Sequence, residues 1–310
     1  MNALNVDSKI IERFKRLISF KRMGHAYLFV GPKEVGKTQT ALALAQLVNC
    51  DNERQAPCQE CPSCKKIASL SHPDVMIVGP QGDSIKIDQI RFVLSRLQLK
   101  AFEAKMKVLI MQDVELMTLE AANSLLKTLE EPPAHTLMIL TTSLEQANLD
   151  TIRSRCHVVK FFASSKARLQ QVLECSSDQA QFLTIYTDGC LGQARQLLDD
   201  NYLTHKNQLL DNFINQALDS KKGALDKEEA ASMLQVFLSI LRDAVLLKTG
   251  VAADELMNID RLDDIKQLAV RPFEELSALY EQILRTRQLL DENLNTKMAF
   301  NILRQRLWVS

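Results

Sequence analysis

Neither sign of charge dominates this chain. Lys and Arg number 38, and so do Asp and Glu, so any contact with a polyanion must come from a local patch or from partners. No apolar run approaches the ~18 residues of a membrane span, and no membrane contact is expected. The opening Met1-Asn-Ala-Leu-Asn-Val6 has none of the layout of a secretory signal. Internal repeats and low-complexity tracts are absent as well. What remains is an ordinary composition, 46% hydrophobic and 25% charged over 310 residues, enough for two or three domains. Seven cysteines without a secretory signal argue against disulfides and for a reducing, cytoplasmic compartment. Four of the seven crowd between Cys50 and Cys64.

The stretch Gly31-Pro-Lys-Glu-Val-Gly36-Lys37-Thr38 follows the apolar run Ala26-Tyr-Leu-Phe-Val30 and precedes a helical pattern, Ala41 to Val48. A strand entering Gly-x-x-x-x-Gly-Lys-Thr and leaving as a helix is the context in which this pattern means a phosphate-binding loop. Gly31 and Gly36 let successive backbone N–H groups turn inward on phosphate oxygens. Lys37 adds a point charge, the Thr38 hydroxyl can ligate Mg²⁺, and the helix N-terminus adds its partial positive charge. A nucleoside phosphate with Mg²⁺ is the ligand such a loop accommodates.

Cys50, Cys58, Cys61 and Cys64 carry metal-ligand spacing. Zn²⁺ takes four thiolates tetrahedrally at about 2.3 Å, and short Cys-x-x-Cys steps supply neighbouring corners. Free buried cysteines or a redox pair are the alternative, but a redox Cys-x-x-Cys has no need of two further thiols nearby. With four thiolates and no open coordination position, the expected Zn²⁺ is structural, a staple for a short insertion that lacks a core of its own.

Further strands are expected at 74–78, 107–111, 136–141 and 157–161. Helices between them include one from Ile87, with Ile90, Val93, Leu94 and Leu97 inward, and one capped by Thr118 that stops at Glu130-Glu-Pro-Pro133. Nearly unbroken apolar strands alternating with helices predict a five-stranded parallel α/β sheet with its site at the strand carboxyl ends. Asp113, just beyond the third strand, is placed to hold Mg²⁺ through water, and Thr142 ends the fourth strand at the same edge. Ahead of the sheet, residues 7–22 read as a helix with Ile10, Phe14, Leu17 and Ile18 on one face. Lys9, Lys15, Arg16, Lys21 and Arg22 lie on the other, which is either a solvated face or a contact with DNA or an acidic partner. Beyond Phe162 the strand signal vanishes. Residues 165–200 read as short helices broken at Gly189 and Gly192. The rest is helical, with stripes Leu234/Phe237/Leu241/Val245, Leu276/Tyr280/Ile283/Leu290 and Met298/Ile302/Leu303, around a weakly periodic connection at 250–271. The expected division is 1–162 for the nucleotide-binding domain, with its zinc module at 50–64, then a helical lid at 163–204 and an all-helical domain at 205–310.

Taken together, the chain resembles the clamp-loader branch of the AAA+ ATPases. The residues that carry the resemblance are His25-Ala-Tyr-Leu-Phe-Val-Gly-Pro32, the four-cysteine insertion, Ser71-His-Pro-Asp74, Ala122-Asn-Ser-Leu-Leu-Lys-Thr-Leu-Glu-Glu-Pro-Pro133 and Thr151-Ile-Arg-Ser-Arg-Cys156. The resemblance implies an AAA+ domain with lid and a collar that holds five subunits in an open ring. It implies gamma (or tau) and delta subunits, the sliding clamp (beta) and primer-template DNA as partners, at the replisome. It also implies that Arg155 of Ser-Arg-Cys reaches, in trans, the γ-phosphate held by a neighbour, with Arg153 as substitute, and that Arg195 in Gly192-Gln-Ala-Arg is the lid arginine. Two departures from an active ATPase stand out. Where such a motor has Asp-Glu, this chain has Asp113-Val114, with Glu115 one residue late and expected to point elsewhere; and Glu34 replaces a usual glycine. A non-hydrolysing ring member is the expectation, and an active gamma-type ATPase is the alternative.

Overall fold

The structure, a computed structural model, describes residues 6, 8–143, 150–214 and 227–291, and of these the backbone alone at 212–214, 227–229 and 289–291. The chain divides into two compact units, 1–164 together with 190–192, and 165–189 with 193–310.

The first unit is built on five strands: β1 (Ala26–Val30), β2 (Val75–Val78), β3 (Lys107–Met111), β4 (Thr136–Thr142) and β5 (His157–Lys160). They lie in the order β2-β3-β4-β1-β5, every pair parallel. Side chains alternate across a sheet, and both faces are covered here, which is why the strands read as continuous apolar runs. Leu28, Leu109, Met111, Met138 and Leu140 pack on Ile90, Val93 and Leu97 of α4 (Ile87–Gln98) and Leu125 and Leu129 of α5 (Leu119–Glu130). Their neighbours Tyr27, Phe29, Val108, Ile110, Leu137 and Ile139 turn the other way. They meet Ile11 and Phe14 of α1 (Ser8–Ser19) and the alanine- and leucine-rich α2 (Lys37–Asn49).

Local signals account for the boundaries. The Thr118 hydroxyl accepts from the Ala121 amide at 3.2 Å and starts α5. Lys107 is buried at the foot of β3, where its ammonium donates to the Leu97 and Leu99 carbonyls and closes the C-terminal end of α4. The Asp74 carboxylate accepts the amides of Phe102, Glu103 and Ala104 at 2.8–3.0 Å, pinning the turn that feeds β3. This is the physical content of Ser-His-Pro-Asp. The first helix is rotated from its expected pose: Ile11 joins Phe14 in the core, whereas Ile18 is 36% exposed. Asp7, the expected start of that helix, lies outside the described residues.

The second unit is helical: α7 (Lys166–Leu173), α8 (Ser177–Tyr186), most of α9 (Leu191–Asp199), α10 (Tyr202–Ile214), α11 (Lys227–Lys248), α12 (Leu262–Ala269) and α13 (Phe273–Asp291). A short helix, α6 (Asp150–Arg153), precedes β5 in the first unit. Gly189, at φ 71°, ends α8 as expected, but Gly192 sits inside α9 and breaks nothing. The second core gathers Leu234, Phe237, Leu241, Leu276 and Ile283. Leu279 takes the inward place expected for Tyr280, which is 43% exposed. The side chain of Leu290, and Met298, Ile302 and Leu303, fall outside the described residues. Lid and tail stretches share this unit. The Gln181 amide donates to the Leu256 carbonyl at 3.2 Å, and the Lys206 ammonium lies 4.5 Å from the centroid of the Phe182 ring. One correction concerns hydropathy: Ala230–Lys248, with a mean of 1.6, is long and apolar enough to cross a membrane, and half of it is buried inside this unit.

Candidate nucleotide and metal sites

Because β3, β4 and β1 are adjacent and parallel, the segments leaving them emerge at one edge. The Gly31–Thr38 loop leaves β1. Gly31 passes so close to β5's exit that an added Cβ would lie 2.4 Å from the Phe161 carbonyl oxygen. Gly36 takes φ 96° as it enters α2, a conformation that favours glycine. Glu34 holds φ 58° with a side chain, and it is exposed; the left-handed backbone explains why glycine suits this position, at a cost of ~1–2 kcal/mol for any other residue.

Lys37 is buried, and its ammonium donates to the Gly31 and Pro32 carbonyls at 2.7 and 2.6 Å. Burial lowers its pKa, and the carboxylates of Asp113 and then Glu115 pull it back up. The Cys190 thiol donates to the Lys33 carbonyl at 3.1 Å and lies against the same loop. Such a loop, with a buried ammonium at a helix start, fits a phosphate.

The Mg²⁺ side of the site is composed differently from the expectation. The residue that faces the Thr38 hydroxyl is Gln112, whose side-chain amide donates to Thr38 Oγ1 at 3.2 Å. Asp113 comes one residue later, in a left-handed turn at φ 49°, with its amide donating to Thr141 Oγ1 at 3.3 Å. A neutral amide thus stands where a hard cation held by Thr38 would want a carboxylate. Val114 is wholly buried in the core beneath the turn. Glu115 does not point away. It is half-buried, accepts the Ser143 amide at 2.9 Å at the end of β4, and its charge is felt at Lys37. Burial raises its pKa, but the hydrogen bonds from Ser143 and Thr142 outweigh that and hold it below the ordinary value. Thr142 is buried at the same edge. Sequence reading misses Gln112 and misplaces Glu115; the signal available is only their distance from the end of β3, and a one-residue offset reverses a side chain.

Arg195 is in the second unit, on α9, paired with Asp199 at 3.7 Å. Arg155 belongs to the first unit and is 32% exposed. Its Nε donates to Glu130 Oε1 at 2.7 Å, Nη2 approaches the same oxygen at 2.5 Å, and Nη1 donates to the Thr151 carbonyl at 2.8 Å. The guanidinium is therefore held at the surface by Glu130, the last residue of α5, and by the Thr151 carbonyl. Arg153, at the end of α6, is exposed.

The sulfurs of Cys50, Cys58, Cys61 and Cys64 lie within 4.8 Å of one another. The amides of Cys58, Cys61 and Cys64 each donate at 3.4 Å to the sulfur of the preceding cysteine of the set. Cys50 ends α2, and Cys61 caps α3 (Pro62–Ala68). Gln46 donates to the Cys64 carbonyl at 2.9 Å and Lys105 to the Cys50 carbonyl at 2.8 Å, fastening the module to α2 and to the turn before β3. Four soft donors converging in this way can hold a metal ion, and thiolate ligation supported by N–H···S bonds suits zinc.

Two family descriptions match the chain: "DNA polymerase III, delta subunit" over residues 6–165 and "DNA polymerase III, delta subunit, C terminal" over 200–303. The chain is 29% identical over 306 residues to DNA polymerase III subunit delta' of Bacillus subtilis, covering 93% of this chain and 92% of that one. It is 29% identical over 304 residues to subunit tau of the same organism, covering 85% of this chain and 53% of tau. Among solved structures, the Bacillus subtilis DNA clamp loader delta protein aligns at a TM-score of 0.46 and 11% identity, over 96% of this chain and 99% of that one.

Proposed function

The chain belongs to the DNA polymerase III delta-subunit family and is a clamp-loader subunit of that polymerase; from this premise we propose that it fills the delta-prime place in the ring, lending Arg155 to a neighbour's ATP and turning over little or none itself. The observation that carries this reading is the position of Arg155. Its planar fork is held at the surface by Glu130, an exposed partner. An exposed ion pair is worth ~0–1 kcal/mol, so exchanging the carboxylate for a triphosphate costs little. A permanently charged guanidinium can spread its donors over developing phosphoryl charge, which lysine cannot reproduce. Three residues at the chain's own edge are poorly suited to activating water: Gln112 is neutral, Val114 is buried, and Glu115 is committed to Ser143. The Lys37 loop is read as a site that takes ATP or ADP without hydrolysing it. The four-cysteine module is read as a structural Zn²⁺ site that stiffens the insertion between α2 and β2. Gamma or tau and delta are the expected ring partners, with the beta clamp and primed DNA engaged by the assembly.

The test is steady-state ATPase of the complex reconstituted with gamma or tau, delta, clamp and primed DNA. Arg155→Ala is expected to leave assembly intact and lower the rate severalfold or more, and Arg155→Lys is expected not to restore it. An unchanged rate ends the claim for Arg155 and turns attention to Arg153. The similarity to tau keeps one competitor in view: turnover by the isolated chain on the order of 1 s⁻¹ or faster would establish a motor instead.

A further inference from the structure

The chain as a whole is neutral, but residues 8–22 are not: Lys9, Arg13, Lys15, Arg16, Lys21 and Arg22 face the single acid Glu12. Lys15 is paired with Glu12, at 2.8 Å. The others are not scattered. Positions 9, 13, 16 and 20 recur at the 3.6-residue period and fall on one side of α1. Lys9, Arg13, Arg16, Phe20 and Arg22 line a common surface groove together with Glu12. Arg22 arrives there because the helix ends in a tight turn: Lys21 takes φ 54° and the Arg22 amide donates to the Leu17 carbonyl at 2.9 Å, folding the chain back. Phe20 is 71% exposed beside these cations. Arg13, Arg16 and Arg22 are exposed as well, and among the described residues no carboxylate pairs with them. The inward side of the same helix, Ile11 and Phe14, is already buried on the sheet, so the apolar core does not draw on this face.

We infer that this groove binds single-stranded DNA directly, with phosphates on Arg13, Arg16 and Arg22 and an unpaired base stacked on Phe20. From Arg13 to Phe20 is about 10 Å at the 1.5 Å helical rise, a span that a short run of single-stranded nucleotides can follow. An exposed phenyl ring amid arginines suits a strand whose bases are free to stack, which a duplex does not offer. The site is separate from Arg155 and from the Lys37 loop, so it stands or falls independently of the reading above.

The experiment is fluorescence anisotropy of a labelled dT20 oligonucleotide, and of a hairpin duplex, with the full chain. Three phosphate contacts on a single strand give a salt exponent near −2, so raising salt from 50 to 200 mM is expected to weaken dT20 binding about twenty-fold. Combined Arg13→Ala, Arg16→Ala and Arg22→Ala is expected to remove both the binding and most of that slope. Phe20→Ala is expected to weaken dT20 at least five-fold with the slope unchanged, while duplex binding hardly moves. All four side chains are exposed, and unaltered thermal unfolding of the variants checks that the fold persists. No dT20 binding at 50 mM salt, or indifference to Phe20→Ala, overturns the inference. Preference for labelled poly-glutamate over dT20 overturns it in favour of an acidic protein partner.

Discussion

Gln112 sets the character of the candidate nucleotide edge, because it engages the Thr38 hydroxyl with an amide. Gln112→Asp restores a carboxylate opposite that hydroxyl. In the variant, Mg²⁺ is expected to raise ATP affinity about ten-fold or more, while the parent chain is expected to respond much less, as calorimetric titration with and without EDTA would show. Equal Mg²⁺ responses would mean that Asp113 already serves the cation. Asp74 is the corresponding residue for stability. Its burial raises the pKa, but the amides of Glu103, Phe102 and Ala104 more than offset this and hold the carboxyl below its ordinary value. The folded state therefore binds the proton less readily than the unfolded one. The stabilisation is fully present above the ordinary aspartate value of about 4 and is lost as pH falls through the lower, folded value. Asp74→Ala is expected to cost about 3 kcal/mol, since several hydrogen bonds to a charged group go at once. Denaturant unfolding measures that loss, and Asp74→Asn should flatten the acid limb of stability against pH.

At the level of elements, the cysteine module is a short insertion with little core. Only Cys50, Cys64 and Ile67 within residues 50–68 are buried apolar groups. Its order must come from the four sulfurs and from a few clasps to α2 and the turn before β3. Metal analysis of the native protein is expected to find one zinc per chain. Cys61→Ser removes a ligand while leaving a hydroxyl that can cap α3. It is expected to release the metal and speed proteolysis of residues 50–66, while the far-ultraviolet signal of the sheet persists. Native protein without zinc would rule out the metal as the source of that order.

For the whole molecule, the two compact units part near residue 164. A chain ending at 164 keeps the sheet and both helical layers of the first unit, losing only the 190–192 contribution. A chain ending at 204 retains α8 but strips away Lys206 over Phe182 and the Leu256 carbonyl that engages Gln181. The shorter chain is expected to melt cooperatively. The longer one should bind a hydrophobic dye through its uncovered helices. Similar dye binding by both would contradict this. Neither is expected to enter the ring.

Local and periodic features are legible in the amino-acid sequence itself. The strand of 107–111 shows as an apolar run between polar turns, the Gly31–Thr38 loop shows in its two glycines and lysine, and the sulfur cluster shows in spacing alone. Each depends on residues within a turn or two of one another. Which residue faces Thr38, where Glu115 turns, whether Ile11 or Ile18 is inside and why Lys107 is buried all depend on packing between distant segments. The side chain beyond the end of β3 is aimed by the strand's register against β4 and β2, and a shift of one residue exchanges an amide for a carboxylate at the hydroxyl. Periodicity reports that a helix has an inner face, but its rotation by a fraction of a turn is settled only by the surface it lies on, here Phe29 and α2 for the first helix. Chemistry carried by neighbours in sequence is therefore determined by the sequence alone; chemistry that arises where separate strands meet is decided only by the tertiary structure.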